Sequence, residues 1–221
     1  AVDYLLAPHL PAIDSVPILQ RLANMHFARK ESGRFYLHPV DREFAFSLLT
    51  KGDAITVEQP KTDLFFFKST RKERNDFTQI GLTDRAASYF AAARRPRAEW
   101  KKLDDLQAQR DEFDLRCAAG DYDTAASILT EIGLSYLDLW GHYRLLIDLL
   151  SRVQGKITDK NLSIANIFGL GWSHYIIGKT KESIEYYEQG MAIAHEIKSR
   201  IWEGAIFGNL GISHAYLGNL R

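Results

Sequence analysis

The side chains best suited to chemistry in this sequence are seven histidines and one cysteine. His174 and His214 hold equivalent positions in two copies of a repeated segment, forty residues apart. A metal site would need carboxylate or cysteine ligands at helical spacing beside them, and neither histidine has such neighbours. We predict that both imidazoles pack between helices as aromatic rings do, and that the chain binds no metal.

The sequence lacks the common catalytic motifs. It contains no phosphate-binding loop of the form G-x-x-x-x-G-K-[ST], no G-x-S-x-G nucleophile turn and no H-E-x-x-H zinc motif. Cys117 is the only cysteine, which excludes an intrachain disulfide and a cysteine-based zinc site. We predict no catalytic residue, no enzymatic activity and no cofactor for this chain.

The composition is that of an ordinary globular protein. Apolar residues make up 46% and charged residues 25% of the chain, and the formal net charge is zero. A nucleic-acid binder usually carries a basic excess, so nucleic acid is an unfavourable partner. The sequence has neither an apolar run of roughly 18–20 residues nor a signal peptide, so we expect no membrane contact and a cytoplasmic location.

A repeated segment predicts the fold of the last third. The segment 170–178 returns as 210–218 with five of nine positions identical. A self-match at one fixed offset is typical of supersecondary units that stack because one unit cannot bury its apolar face alone. Three helices are expected here: Asp159–Ile177, Lys181–Ile197 and Arg200–Leu217.

The first fifty residues read as helix, helix, hairpin and helix. Asp14 and Ser15 are both candidate helix caps, the turn Glu31-Ser32-Gly33 separates two strand-like segments, and Pro39 begins a further helix. This order predicts a partial winged-helix domain over 1–50. A connecting loop over 51–81 follows, and its apolar cluster, 64–67, is expected to dock on a neighbouring core; a loop that touches a membrane is the alternative for this segment.

Irregular helices are predicted over 82–158. Thr83 is expected to cap a helix over Asp84–Ala93, and Pro96 to open a second helix that runs through Leu106. The fold class is therefore mainly α, with a small hairpin near the N-terminus.

The last third resembles tetratricopeptide repeats in their forty-residue form. The matching positions are Ile167, Leu170, Gly171, His174, Gly178, Ser183 and Tyr187 in one copy, and Phe207, Leu210, Gly211, His214 and Gly218 in the next. The resemblance implies repeats over 159–221, the last one truncated, and an α-solenoid of antiparallel helical hairpins. We expect the natural protein to continue past Arg221, and this chain to self-associate or fray at its last helix.

The segment Arg34–Ala45 resembles the winged-helix domain of the signal-transduction ATPases with numerous domains, the STAND family. The resemblance implies that His38 packs against ADP held by a nucleotide-binding domain upstream of this chain. ADP or ATP would then be a ligand of the full-length protein only. The chain would be a sensing and interaction part of such an ATPase, with the winged helix taking part in autoinhibition.

Tetratricopeptide arrays bind partners on the face formed by the first helix of each repeat. On that face this chain carries Phe168, Trp172, Tyr175, Ile212 and Tyr216, which predicts a site for a protein or peptide. Packing of these side chains against neighbouring repeats is the alternative. A winged-helix transcription regulator, reading DNA through Val16–Asn24, is the alternative function.

Overall fold

The structure of the chain is a computed structural model that describes residues 1–31, 34–53 and 76–218. In these ranges the chain is mainly helical, with one two-stranded sheet. The helices and strands are α1 Val2–Leu6, α2 Ser15–Asn24, β1 Ala28–Glu31, β2 Arg34–Leu37, α3 Pro39–Ser47, α4 Gln79–Ala92, α5 Gln107–Ala118, α6 Tyr122–Ile132, α7 Tyr143–Val153, α8 Lys160–Ile176, α9 Thr180–Glu196 and α10 Arg200–Tyr216. Two 3-10 helices, Arg97–Glu99 and Leu103–Leu106, precede α5, and a π-helix, Gly133–Asp138, follows α6.

The predicted order of elements in the first fifty residues is present. Asp14 caps α2 by accepting a hydrogen bond from the amide of Val16 at 3.1 Å. The strands β1 and β2 pair antiparallel, with Ala28 opposite Leu37. The predicted turn at 32–33 and the apolar cluster at 64–67 lie outside the described residues.

This N-terminal region buries little of its own surface. Among its described residues, 1–31 and 34–53, only Ser15 and Ala28 are buried. Several contacts link the region to α4: the amide of Gln79 donates to the carbonyl of Thr50 at 2.9 Å, and the Nε of Arg85 donates to the carbonyl of Tyr4 at 2.8 Å. The Arg85 guanidinium also lies 4.3 Å from the centre of the Tyr4 ring, a cation–π contact.

The first helix after the connecting loop begins earlier than predicted. Thr78, not Thr83, caps it, because the Thr78 hydroxyl accepts from the amide of Gly81 at 3.0 Å. Thr83 lies inside α4, where its hydroxyl donates to the carbonyl of Gln79 at 2.7 Å, four residues earlier. The predicted cap at Thr83 is therefore wrong.

The helix predicted from Pro96 through Leu106 is also wrong. After the short 3-10 helix at Arg97–Glu99 the backbone becomes extended at Trp100. The amides of Lys101 and Lys102 both donate to the buried Asp105 carboxylate at 3.1 Å. These bonds satisfy the amides outside a helix, so helical structure restarts only at Leu103 and becomes α-helical at Gln107.

The last three helices follow the sequence prediction to within one or two residues. Gly178 adopts φ +81° in the turn between α8 and α9, a conformation that favours glycine. Lys160 at the start of α8 forms an ion pair at 3.2 Å with Glu196 at the end of α9, so these helices are antiparallel. α9 packs against both α8 and α10.

The main core lies between α5 and α8. Its buried residues include Leu106, Phe113, Ile132, Leu146 and Leu170. A second buried cluster, Ile164, Tyr187, Ala194 and Ile206, joins the last three helices. Across the described residues, every helix is too short or too polar to cross a membrane.

Candidate partner-binding surface

Three predicted site residues form a continuous row of aromatic rings. The rings of Trp172 and Tyr175, one helical turn apart on α8, have centres 6.1 Å apart. Tyr175 in turn meets Tyr216 of α10 edge-on, with 5.9 Å between ring centres. Ile212 lies one turn before Tyr216 on α10. We call Trp172, Tyr175, Ile212 and Tyr216 the aromatic surface.

The aromatic surface is rigid at one end and open at the other. The indole nitrogen of Trp172 donates to the Asp138 carboxylate of the π-helix at 3.0 Å. Trp172 and Tyr175 are half-buried, whereas Ile212 is 50% and Tyr216 69% exposed. A row of rings held by a hydrogen bond and open to solvent suits the anchoring of another chain, because rigid aromatic side chains lose little entropy on binding.

Phe168 was predicted for the same site and lies apart from the row. Its ring packs at 5.7 Å against the rings of Tyr187 on α9 and Trp202 on α10. It is partly buried beside the second core cluster. Phe168 thus joins three helices. For this residue the structure shows packing against neighbouring helices, which was the alternative to partner binding.

A second aromatic group next to this surface was missed by the sequence reasoning. Tyr136 of the π-helix lies 5.0 Å from the ring of Trp100 and 5.3 Å from that of Trp140. Arg97 donates to the Tyr136 hydroxyl at 2.8 Å, and this hydrogen bond raises the pKa of Arg97. Leu139, adjacent in the chain to Asp138, is 76% exposed. The π-helix therefore carries contacts to both aromatic groups, a feature often found at functional sites.

His38 lies at the junction of β2 and α3. It is exposed, and its Nδ1 accepts a hydrogen bond from the amide of Val40 at 3.4 Å, so it is the N-cap of α3. This is the capping role expected of a polar residue before a proline-started helix. A sensor role would depend on a nucleotide held by another domain.

The other candidates for chemistry are buried or dispersed. His174 is 9% exposed, its Nδ1 donates to the carbonyl of Leu170 at 2.8 Å, and its ring lies 5.0 Å from the Tyr186 ring, as expected for packing between helices. Burial raises the pKa of the Cys117 thiol to about 11 and that of Tyr187 to about 12. The described part of the chain contains no group of three or more histidine, cysteine or acidic side chains placed to hold a metal ion.

Comparison with protein-family models, with curated proteins and with solved structures finds no match for this chain.

Proposed function

We propose that this chain is a non-catalytic interaction module whose aromatic surface binds a protein or peptide. The observation that carries the proposal is the ring row from Trp172 through Tyr175 to the exposed Tyr216. Large aromatic side chains dominate the binding energy of many interfaces because each buries much area with few rotatable bonds. The row is also anchored at Asp138, which limits the ordering cost of binding.

We propose further that the module belongs to a STAND-type signalling ATPase. In this proposal the N-terminal region is a partial winged-helix domain and the last helices are tetratricopeptide-like repeats of an α-solenoid. The repeats sense a ligand, and the winged helix holds an upstream nucleotide-binding domain, with its ADP or ATP, in an inactive state. The protein acts in the cytoplasm, a reducing compartment that suits a single cysteine.

Exposed apolar side chains on α3 support a partner for the N-terminal region. Val40 and Phe44 of α3 and Leu48, the residue that caps its C-terminal end, follow one another at helical spacing, and each is 65% or more exposed. A stripe of this kind is costly in water unless another surface covers it. An adjacent nucleotide-binding domain would cover the stripe and would also place His38, at the start of α3, beside its nucleotide.

Peptide selection tests the binding part of the proposal. The probe is a phage-displayed library of random peptides, panned on the wild-type chain alone and then assayed against the variants. Enriched peptides should bind the wild type and lose affinity for Tyr216→Ala. Tyr36→Ala is the matched control, because Tyr36 is 46% exposed on the distant hairpin strand β2. If the peptides bind all three proteins equally, the aromatic surface is not their binding site.

The ATPase part is tested separately on the full open reading frame. A phosphate-binding loop encoded upstream of Ala1 supports the STAND proposal. If the loop is absent, the transcription-regulator alternative takes its place. The peptide experiment does not depend on this outcome.

A further inference from the structure

A carboxylate lies against one end of the aromatic surface. Asp138 of the π-helix accepts the hydrogen bond from the Trp172 indole at 3.0 Å. The helices that carry the rings add no charge beside them, because the segments 161–178 and 204–218 contain no aspartate, glutamate, lysine or arginine. The negative charge of Asp138 therefore lies beside a row of uncharged rings.

The Asp138 carboxylate has room for a further hydrogen-bond donor. The indole bonds to one of its two oxygens, whereas a carboxylate can accept about four hydrogen bonds. Within the described residues, no lysine, arginine or histidine forms an ion pair with Asp138. Arg97, which contacts the same π-helix, donates to the Tyr136 hydroxyl instead. Asp138 is half-buried, so its charge is partly shielded from water and has no described cation to balance it.

Elsewhere in the protein an arginine satisfies the same combination of ring and carboxylate. Arg152 on α7 donates from Nη1 to the Asp114 carboxylate at 2.8 Å, and its guanidinium lies 4.9 Å from the centre of the Phe113 ring. A planar guanidinium can lie on a ring and bond a carboxylate with its edge at the same time, whereas an ammonium group is a point charge. Trp172 and Asp138 present a ring and a carboxylate without an arginine from the described chain.

We infer that the partner of the aromatic surface is a peptide with an arginine that docks at Asp138. The guanidinium donates to the carboxylate oxygen that the indole leaves open and stacks on Trp172. Apolar side chains next to this arginine cover Tyr175 and Tyr216. The inference rests on the proposed function and names the chemistry of its partner: a basic peptide is favoured, and an acidic one is repelled by Asp138.

Selection from the random peptide library on three proteins tests the inference. Asp138→Asn is the decisive variant, because the asparagine Oδ1 can still accept from the Trp172 indole after the charge is removed. Glu188→Gln is the matched control, since it removes one negative charge from an exposed position on α9. Peptides selected on the wild type and on Glu188→Gln should share an arginine at one aligned position. Peptides selected on Asp138→Asn should not show this preference.

A change in the peptide alone gives a second measurement that does not depend on the folding of a variant. The tightest wild-type binder is synthesised with its shared arginine and again with citrulline, the neutral isostere of arginine, at that position. Citrulline should weaken binding to the wild type by at least about tenfold, the usual value of a charged hydrogen bond. On Asp138→Asn the two peptides should bind within about twofold of each other. Titration calorimetry measures all four affinities.

Failure of this inference and failure of the proposed function give different results. Peptides that need Tyr216 but share no arginine, or that bind equally with arginine and citrulline, overturn the inference and leave the aromatic surface as the binding site. An arginine preference that persists on Asp138→Asn places the guanidinium elsewhere and also overturns the inference. Peptides unaffected by Tyr216→Ala, or a selection that yields no binder, overturn the proposed function and this inference with it.

Discussion

Trp172 and Asp138 join two parts of the chain that are distant in sequence. The indole nitrogen of Trp172 on α8 donates to the carboxylate of Asp138 in the π-helix, 3.0 Å away and 34 residues earlier. The same indole begins the aromatic surface. Trp172 therefore contributes both to folding and to the proposed binding site, whereas Tyr216 at the other end of the row is mostly exposed.

This difference gives a prediction for two alanine variants. Tyr216→Ala should weaken binding of the selected peptides by about 2 kcal/mol or more, as expected of an aromatic anchor. It should change the free energy of unfolding by less than about 1 kcal/mol, because Tyr216 gives up only a ring contact. Trp172→Ala should lower both the peptide affinity and the free energy of unfolding, since the protein loses the packing of the indole and its hydrogen bond. Titration calorimetry and urea unfolding measure the two quantities; unchanged affinity in both variants would remove these residues from the site.

Gly171 and Gly211 are equivalent in sequence and should respond oppositely to alanine. In Gly171→Ala the new Cβ lies 2.7 Å from the buried Tyr187 ring, so overpacking should cost about 1–3 kcal/mol of unfolding free energy. In Gly211→Ala the Cβ meets no described atom within 4 Å, and the better helix propensity of alanine should add up to about 1 kcal/mol. Urea unfolding of the two variants checks the signs. A loss of equal size in both would contradict the packing at Gly171.

Local signals were sufficient to predict the last three helices. Asp159 and Ser199 cap α8 and α10 with their own side chains, and Gly178 provides the turn between α8 and α9. These features depend on residues within a few positions of one another. The break after Pro96 was missed although the bonds that end the helix, from Lys101 and Lys102 to Asp105, are equally local; the Asp105 carboxylate that accepts them is buried. Whether a backbone amide bonds to a carbonyl of a helix or to a nearby side-chain carboxylate depends on how the folded protein buries that carboxylate.

The candidate site was predictable only in part for the same reason. Trp172 and Tyr175 lie one turn apart on one helix, and the repeat offset brings Tyr216 to the same face. The position of Phe168 between α9 and α10 depends on how three helices pack, which spacing does not specify. The group around Tyr136 was missed because the π-helix changes which side chains share a face.

Cys117 should react slowly with alkylating reagents in the folded protein. Burial raises its pKa from an ordinary value of 9.0 to about 11, so the thiol stays protonated near neutral pH. Only the thiolate attacks, so alkylation by iodoacetamide at about pH 8 should be about 100-fold slower than for an ordinary thiol. The rate should increase about tenfold per pH unit up to about pH 11. Mass spectrometry follows the reaction, with the urea-unfolded protein as control; equal rates in the two states would contradict the burial.

Arg116 is the centre of a buried ionic cluster that holds α4, α5 and the start of α6 together. It is 5% exposed and forms a hydrogen-bonded ion pair with Asp84 of α4. Its Nε lies 3.5 Å from Glu112, and its Nη1 lies 3.8 Å from Asp121, the cap of α6. Arg94 contacts the same Glu112 at 2.7 Å. Three acidic side chains from different elements thus share one guanidinium.

Removing that guanidinium should destabilise the protein strongly. Arg116→Met keeps much of the side-chain volume and leaves Asp84 and Asp121 buried with less compensating charge, so we expect a loss of about 3–5 kcal/mol in the free energy of unfolding. The matched control is Lys160→Met, which breaks the solvent-exposed pair with Glu196 and should cost about 0–1 kcal/mol. Urea unfolding followed by circular dichroism measures both variants. If Arg116→Met costs no more than Lys160→Met, the cluster does not hold these helices together.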